Sequence, residues 1–156
     1  MNKKIATAAI IALVSCAALT SLGKLPPENA IKLEKTQAPA ELKSGQLLPI
    51  VIPGNTTANA KIGGYQVFCY VDKVPPACKS LDWKMKKAAK DQWNTYQIQP
   101  HQWLKSGCSG NNFQFNCELD TTKWPEGDYN LTILLTVLVD GKDYYLPVEI
   151  LFCITK

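Results

Sequence analysis

Six cysteines and a single histidine are the residues of this 156-residue chain best suited by type to chemistry, and their spacing directs the cysteines to structure. Cys69 and Cys78 are nine positions apart across Pro75-Pro76, and Cys108 and Cys117 are nine apart across Ser109-Gly110-Asn111-Asn112. Both spacings permit local loop closure, worth very roughly 2–3 kcal/mol each in the chain-entropy model. Disulfides Cys69–Cys78 and Cys108–Cys117 are therefore expected, with Cys153 free or joined to another chain. The competing connectivity is long-range, Cys69 to Cys117 or to Cys153. No cysteine pair has the gap of about two to four residues usual in zinc sites, and His101 has no neighbouring ligand, so no metal and no cofactor is expected.

The same residues do not assemble a catalytic set. His101 sits between Pro100 and Gln102 with no motif around any Ser or Cys, and reads as a surface or loop histidine. Asp82, Asp91, Glu118, Asp120, Glu126, Asp128, Asp140, Asp143 and Glu149 lie mostly at strand ends and turns, where acids serve solubility and turn geometry. Ser106-Gly107-Cys108-Ser109-Gly110 lacks the lysine and the strand–helix context of a phosphate loop. No catalytic residue is assigned, and the chain is expected not to be an enzyme. Setting aside Lys3 and Lys4 leaves 15 basic against 13 acidic residues, a net charge of only +2, and every basic residue is lysine. That balance excludes a nucleic-acid footprint, since the planar guanidinium fork is absent.

The chain begins Met1-Asn2-Lys3-Lys4, followed by an apolar run from Ile5 to Val14 and then small residues. This is the charged region, short apolar core and processing zone of a signal peptide. Leu13-Val14-Ser15-Cys16 resembles the lipobox of bacterial lipoproteins. The resemblance implies that Cys16 is lipidated and becomes the mature N-terminus, and Ala17 after it points to the outer membrane. Cleavage after Ala17 or Gly23 is the other reading, which discards Cys16 and leaves a soluble periplasmic or secreted protein. Residues 1–23 are thus a leader. Residues 24–46, with Pro26, Pro27 and Pro39 and no aromatic side chain, have the composition of a flexible tether, with at most a weak amphipathic turn around Ile31 to Leu42. Residues 47–156 remain as a single domain.

Within that domain short apolar stretches alternate with turn residues, the pattern of an antiparallel sandwich. Strands are expected at Leu47 to Pro53, ended by Pro53-Gly54-Asn55, at Tyr65 to Asp72, entered through Gly63-Gly64, at Leu81 to Met85, and at Asn112 to Leu119. Tyr129 to Val139 and Lys142 to Ile154 flank Asp140-Gly141, a dipeptide suited to a type I′ turn. A two-residue turn pairs Val139 with Lys142. Counting outward, one face then matches Val137–Tyr144, Leu135–Leu146, Ile133–Val148, Leu131–Ile150 and Tyr129–Phe152, all apolar or aromatic. A one-residue slip destroys this agreement.

The stretch from Leu119 to Ile133, with Trp124-Pro125-Glu126-Gly127-Asp128-Tyr129 at its centre, resembles the corner between two strands in bacterial immunoglobulin-like domains. The resemblance implies an all-β, immunoglobulin-like antiparallel β-sandwich, with Tyr129 as the corner tyrosine bonding back to upstream backbone. Leu131 stands where that family has a cysteine, so its inter-sheet disulfide does not carry over.

The other face of the final hairpin carries Leu134, Leu138, Tyr145, Pro147 and Leu151, with only Asp143 and Glu149 as charges. A face meant for water alone carries more, so these five residues are expected to contact an envelope protein or a second copy, unless a loop or the tether of the same chain covers them. Among the tryptophans, Trp83 and Trp124 read as core. Trp93 and Trp103, among Gln92, Asn94, Tyr96, His101 and Gln102, also resemble a polar-aromatic contact surface for carbohydrate or protein, although core packing is the commoner fate of an aromatic. The expected function is an exported, lipid-anchored, non-enzymatic binding or scaffolding module of the envelope. An inhibitor of an exported hydrolase, inserting a Cys108–Cys117 loop into its target, is the alternative.

Overall fold

The computed structural model describes residues 23–71, 84–87 and 94–156, and the folded part is an all-β sandwich. Nine strands run in chain order: β1 (Ile31–Leu33), β2 (Glu41–Lys43), β3 (Leu48–Thr56), β4 (Ala60–Val71), β5 (Lys84–Lys87), β6 (Asn94–Cys108), β7 (Phe113–Leu119), β8 (Gly127–Val139) and β9 (Lys142–Thr155). One sheet has the order β1-β3-β7 and the other β2-β9-β8-β4-β6-β5. All pairings are antiparallel except that of β2 with β9. With β1-β3-β7 as A-B-E and β4-β8-β9 as C-F-G, this is the strand order of an immunoglobulin-like sandwich.

The hairpin register expected from the turn is the one observed, from Val139↔Lys142 outward through Ile133↔Val148 to Tyr129↔Phe152. Asp140 and Gly141 both have positive φ, 50° and 75°, as a type I′ turn requires. The inward face of this hairpin packs with Val67 and Cys69 of β4 on Leu48, Ile50 and Ile52 of β3 and on Phe113, Phe115 and Leu119 of β7, all buried. Each such side chain contributes about 1.5–3 kcal/mol through removal from water.

The corner tyrosine is also in place. Tyr129 donates its hydroxyl to the Pro125 carbonyl at 2.6 Å, and its ring stacks on Phe152 at 5.4 Å and tilts against Trp124 at 5.2 Å. The corner is tied to the connection between β2 and β3 by Thr121, which is buried and donates its hydroxyl to the Gln46 carbonyl. Leu131, two residues beyond Tyr129, fills the interior without a sulfur.

Several expectations are corrected. Residues 24–46 do not form a tether: β1 and β2 belong to the sandwich, Ala30, Ile31 and Leu42 are buried, and Gln37 bridges Val51. The prolines there suit a chain that leaves one sheet at Leu33 and joins the other at Glu41, with strands too short to show periodicity. Pro53-Gly54-Asn55 does not end β3, which runs on to Thr56. The Pro53 carbonyl accepts from the Glu34 amide at 2.9 Å, and Gly54 lets the Lys32 carbonyl come so near that a Cβ would lie 2.6 Å from it. Likewise β4 starts at Ala60, and Gly63-Gly64 lie inside it at a register irregularity shared by both neighbouring strands. Of the strand expected at Leu81 to Met85, only Lys84 and Met85 fall within the described residues, in β5.

The cysteines are corrected too. Cys108 and Cys117 are separate thiols. Cys108 Sγ lies 3.8 Å from the Gln114 carbonyl, whereas Cys117 is three residues further along β7, about 10 Å at the rise of a strand. A disulfide needs Cα atoms within about 4.4–6.8 Å. Cys69 is buried within β4, and its expected partner Cys78 lies outside the described residues, as does Cys16. Cys153 sits in β9 opposite β2, with Sγ 3.6 Å from the Ala40 carbonyl.

Two predictions follow from this interior. Tyr129→Phe keeps the stacked ring but leaves the Pro125 carbonyl without its donor, and is expected to cost about 1 kcal/mol, read as a lower urea midpoint with unchanged slope. An unchanged midpoint rules out an energetic role for the corner bond. Burial also pushes the Cys117 thiol from its ordinary 9.0 up to about 12. The folded state therefore holds this proton where the unfolded chain loses it, so stability is complete below about pH 9 and declines as the pH climbs from about 9 through 12. Cys117→Ala should flatten that alkaline decline relative to the parent. Native-state alkylation at pH 8 should spare Cys117, and modification there as fast as in the unfolded chain contradicts the assignment.

Candidate binding face

The alternation of β8 and β9 that drives one face into the core turns the other outward, and this outer face of the large sheet gathers every residue singled out for partner binding. They are not equally available. Leu151 is 48% exposed, Leu138, Tyr145 and Pro147 are half-buried, and Leu134 is only 1% exposed, next to buried Phe68, Thr132 and Thr136. Leu134 thus belongs to the packed part of the face. The start of the chain segment expected as a tether covers part of it: Tyr145 donates its amide to the Lys24 carbonyl at 2.9 Å, and a Cβ on Gly23 would overlap the Tyr145 ring.

Thr132 and Glu149 face each other across β8 and β9, with Asn130 two residues along. Asn130 Oδ1, Thr132 Oγ1 and Glu149 Oε1 are all buried without a hydrogen-bond partner among the described residues. Their neighbours on β4 and β6 are better satisfied, since Gln97 Nε2 donates to Gln66 Oε1 at 2.9 Å.

On the β6 side the glycine pair creates a distinct arrangement. A Cβ on Gly64 would lie 2.7 Å from His101 Cε1, and one on Gly63 would lie 2.7 Å from Leu138 Cδ1 and 3.6 Å from Trp103. A Cβ on Gly64 would also meet the Gln102 carbonyl at 2.6 Å, which confines that position to glycine, while one on Gly63 would have to displace the Leu138 side chain. His101 Nε2 is 2.9 Å from Thr136 Oγ1, and the His101 ring meets Trp103 edge-on with centroids 4.6 Å apart. Trp103 itself is 62% exposed. His101 is thus no loop residue but a half-buried side chain in the middle of β6.

Trp103 does not share the core fate of most aromatics, whereas Trp124 does. Trp83 and Trp93 lie outside the described residues. The local signal for Trp103 was its setting among Gln102, His101 and Pro100. What could not be read locally was that Gly63 and Gly64 sit across from it. Among the described residues no group of three or more His, Cys, Asp or Glu side chains is placed to hold a metal ion. The outer face can therefore offer stacking, apolar contact and neutral hydrogen bonds, with Glu149 as a carboxylate at its centre.

No protein-family model matches the chain, and no curated protein matches it in sequence. Among solved structures its fold is similar to that of AvmM, described as catalysing macrocyclization in alchivemycin A biosynthesis, at 9% identity and a TM-score of 0.51 over 83% of this chain and 90% of that protein. A β-glucosidase from Listeria innocua in complex with glucose is matched at 12% identity and a TM-score of 0.46 over 83% of this chain, which spans only 16% of the length of that enzyme. A cohesin module from the family 33 glycoside hydrolase of Clostridium perfringens ATCC13124 is matched at 9% identity and a TM-score of 0.38, over 81% of this chain and 98% of the module. The likeness to AvmM is one of fold.

Proposed function

We propose that the protein is an exported, lipid-anchored and non-enzymatic binding module of the bacterial envelope, and that the outer face of its large sheet is the surface that binds. The observation that carries this reading is the mixed character of that face, where Trp103 and Leu151 stand exposed on strands whose opposite side is the core. An apolar side chain of that size on a sheet face, held by rigid strands, is the usual anchor of a contact surface. The anchor rests on the lipobox-like Leu13-Val14-Ser15-Cys16, with Cys16 as the acylated residue and the outer membrane or periplasm as the location. The partner is an envelope protein or a second copy, and no nucleic acid is involved. The inhibitor reading loses its support, because the Cys108 and Cys117 thiols lie apart and close no loop.

Two experiments test the proposal. In cells fed labelled palmitate, the parent should incorporate label and fractionate with membranes, and Cys16→Ala should do neither; an unlabelled, soluble parent removes the anchor. Leu151→Lys, at a position half open to solvent, should fold with an unchanged melting temperature and weaken capture of the envelope partner at least about tenfold, as expected for a contact residue. A partner held equally well by the variant places the interface elsewhere.

A further inference from the structure

The arrangement around Trp103 is more specific than an exposed apolar residue requires. The indole projects from the middle of β6, not from a loop tip, and its orientation is set by a chain of contacts that ends in the buried sheet. Thr136, itself buried, bonds His101 Nε2, His101 braces Trp103 edge-on, and both rings lie where Gly63 and Gly64 leave no Cβ. A rigid aromatic ring that is ordered before binding loses little conformational entropy on contact.

Two features narrow what would rest on it. None of Gly63, Gly64, His101, Trp103, Thr136 and Leu138 is charged, and the charges that border them are of both signs, with exposed Lys61 and Asp143 pairing with Leu138 from either side and Lys105 two residues beyond Trp103, so the platform offers no single-sign field for a charged ligand. It is also a flat area on a sheet face, whereas a branched aliphatic anchor from a protein partner is best held in a desolvated pocket. A neutral ligand with a flat face of C–H groups and a rim of hydroxyls meets both conditions, and a pyranose ring has that form. Gln102, next along β6, faces the other side of the sheet and accepts from the Tyr65 hydroxyl, so the donor and acceptor at the hydroxyl rim are the exposed Lys61 and Asp143, which pair with Leu138 from either side.

From this we infer that Trp103 is a stacking platform for a neutral saccharide, with His101 and Thr136 as positioning residues. The inference rests on the reading of the outer face as the binding surface and names a ligand class for its β6 side. The test is titration of the full-length chain with the linear tetramer of N-acetylglucosamine and with cellotetraose, followed by tryptophan emission and calorimetry. At least one of the two should shift the emission and bind. Trp103→Ala should weaken that binding at least about tenfold, and Trp103→Tyr should retain part of it. His101→Ala and Thr136→Val should each weaken it by a smaller factor and raise the mobility of the Trp103 indole in NMR relaxation, which a merely structural role elsewhere would not do.

Failure of both sugars to bind at millimolar concentration overturns the inference, as does a Trp103→Ala variant that binds like the parent. So does an equal emission shift with N-acetylleucine amide, which would mark the platform as a protein contact. A chain that ignores both sugars yet holds an envelope protein through Leu151 sinks the saccharide assignment and leaves the binding-module reading standing. A chain that binds sugar but no envelope protein keeps the saccharide assignment and the outer face as the binding surface, and removes the protein partner.

Discussion

The period of two along a β-strand is the constraint on which the rest of this structure depends, and it acts most strongly in the β8–β9 hairpin. Asp140 and Gly141 take the positive φ values that a tight primed turn demands, and Val139 is thereby locked opposite Lys142. From that point every side chain in the two paired strands is committed to one face or the other. A slip of a single residue would bring Glu149 and Asp143 into the core and expel Ile150 and Leu146. The central strands β4 and β8 and the facing strands β3 and β7 pack against a surface whose pattern the turn has already set.

The corner before β8 solves a different problem, that of passing from one sheet to the other without leaving backbone polar groups bare. Thr121 reaches the Gln46 carbonyl, the Trp124 amide reaches the Thr121 carbonyl, and the Tyr129 hydroxyl reaches the Pro125 carbonyl. The rings of Trp124, Tyr129 and Phe152 fill the space beneath. A similar crossing is made at the start of the chain, where residues 31–43 leave the small sheet as β1 and join the large one as β2. Here the bonds are almost entirely main-chain, so few side chains announce them.

The two faces of the large sheet express different demands. The inner face is apolar over β8 and β9, which share the core with the second sheet, and turns polar at β6, where Gln99 and Gln102 bond the Tyr65 hydroxyl. The outer face mixes buried threonines, unpartnered oxygens at Asn130, Thr132 and Glu149, and an exposed indole braced by a histidine. Such a mixture is costly as mere surface, since buried oxygens without partners lose their hydration. The Gly63–Gly64 irregularity allows it, by letting large rings approach the backbone of β4.

By itself the sequence determined the all-β class, the hairpin with its full register and the inward positions of Tyr129 and Leu131, because each is encoded over a few adjacent residues by turn chemistry or by alternation, while the corner bond of Tyr129 was implied by the resemblance to the immunoglobulin-like corner. It also marked Leu138, Tyr145, Pro147 and Leu151 as the outer side of the hairpin, for the same reason of period. Tertiary structure alone decided that residues 24–46 enter the sandwich, since three-residue strands rely on partners such as Gly54 and Cys153 that are distant in the chain. It alone separated Cys108 from Cys117, because equal spacing says nothing about a strand that carries one thiol away from the other. Only the folded sheet brings Gly64, His101 and Thr136 onto one row, from positions far apart in sequence. Local pattern specifies which way a side chain points, and long-range pairing specifies what it meets there.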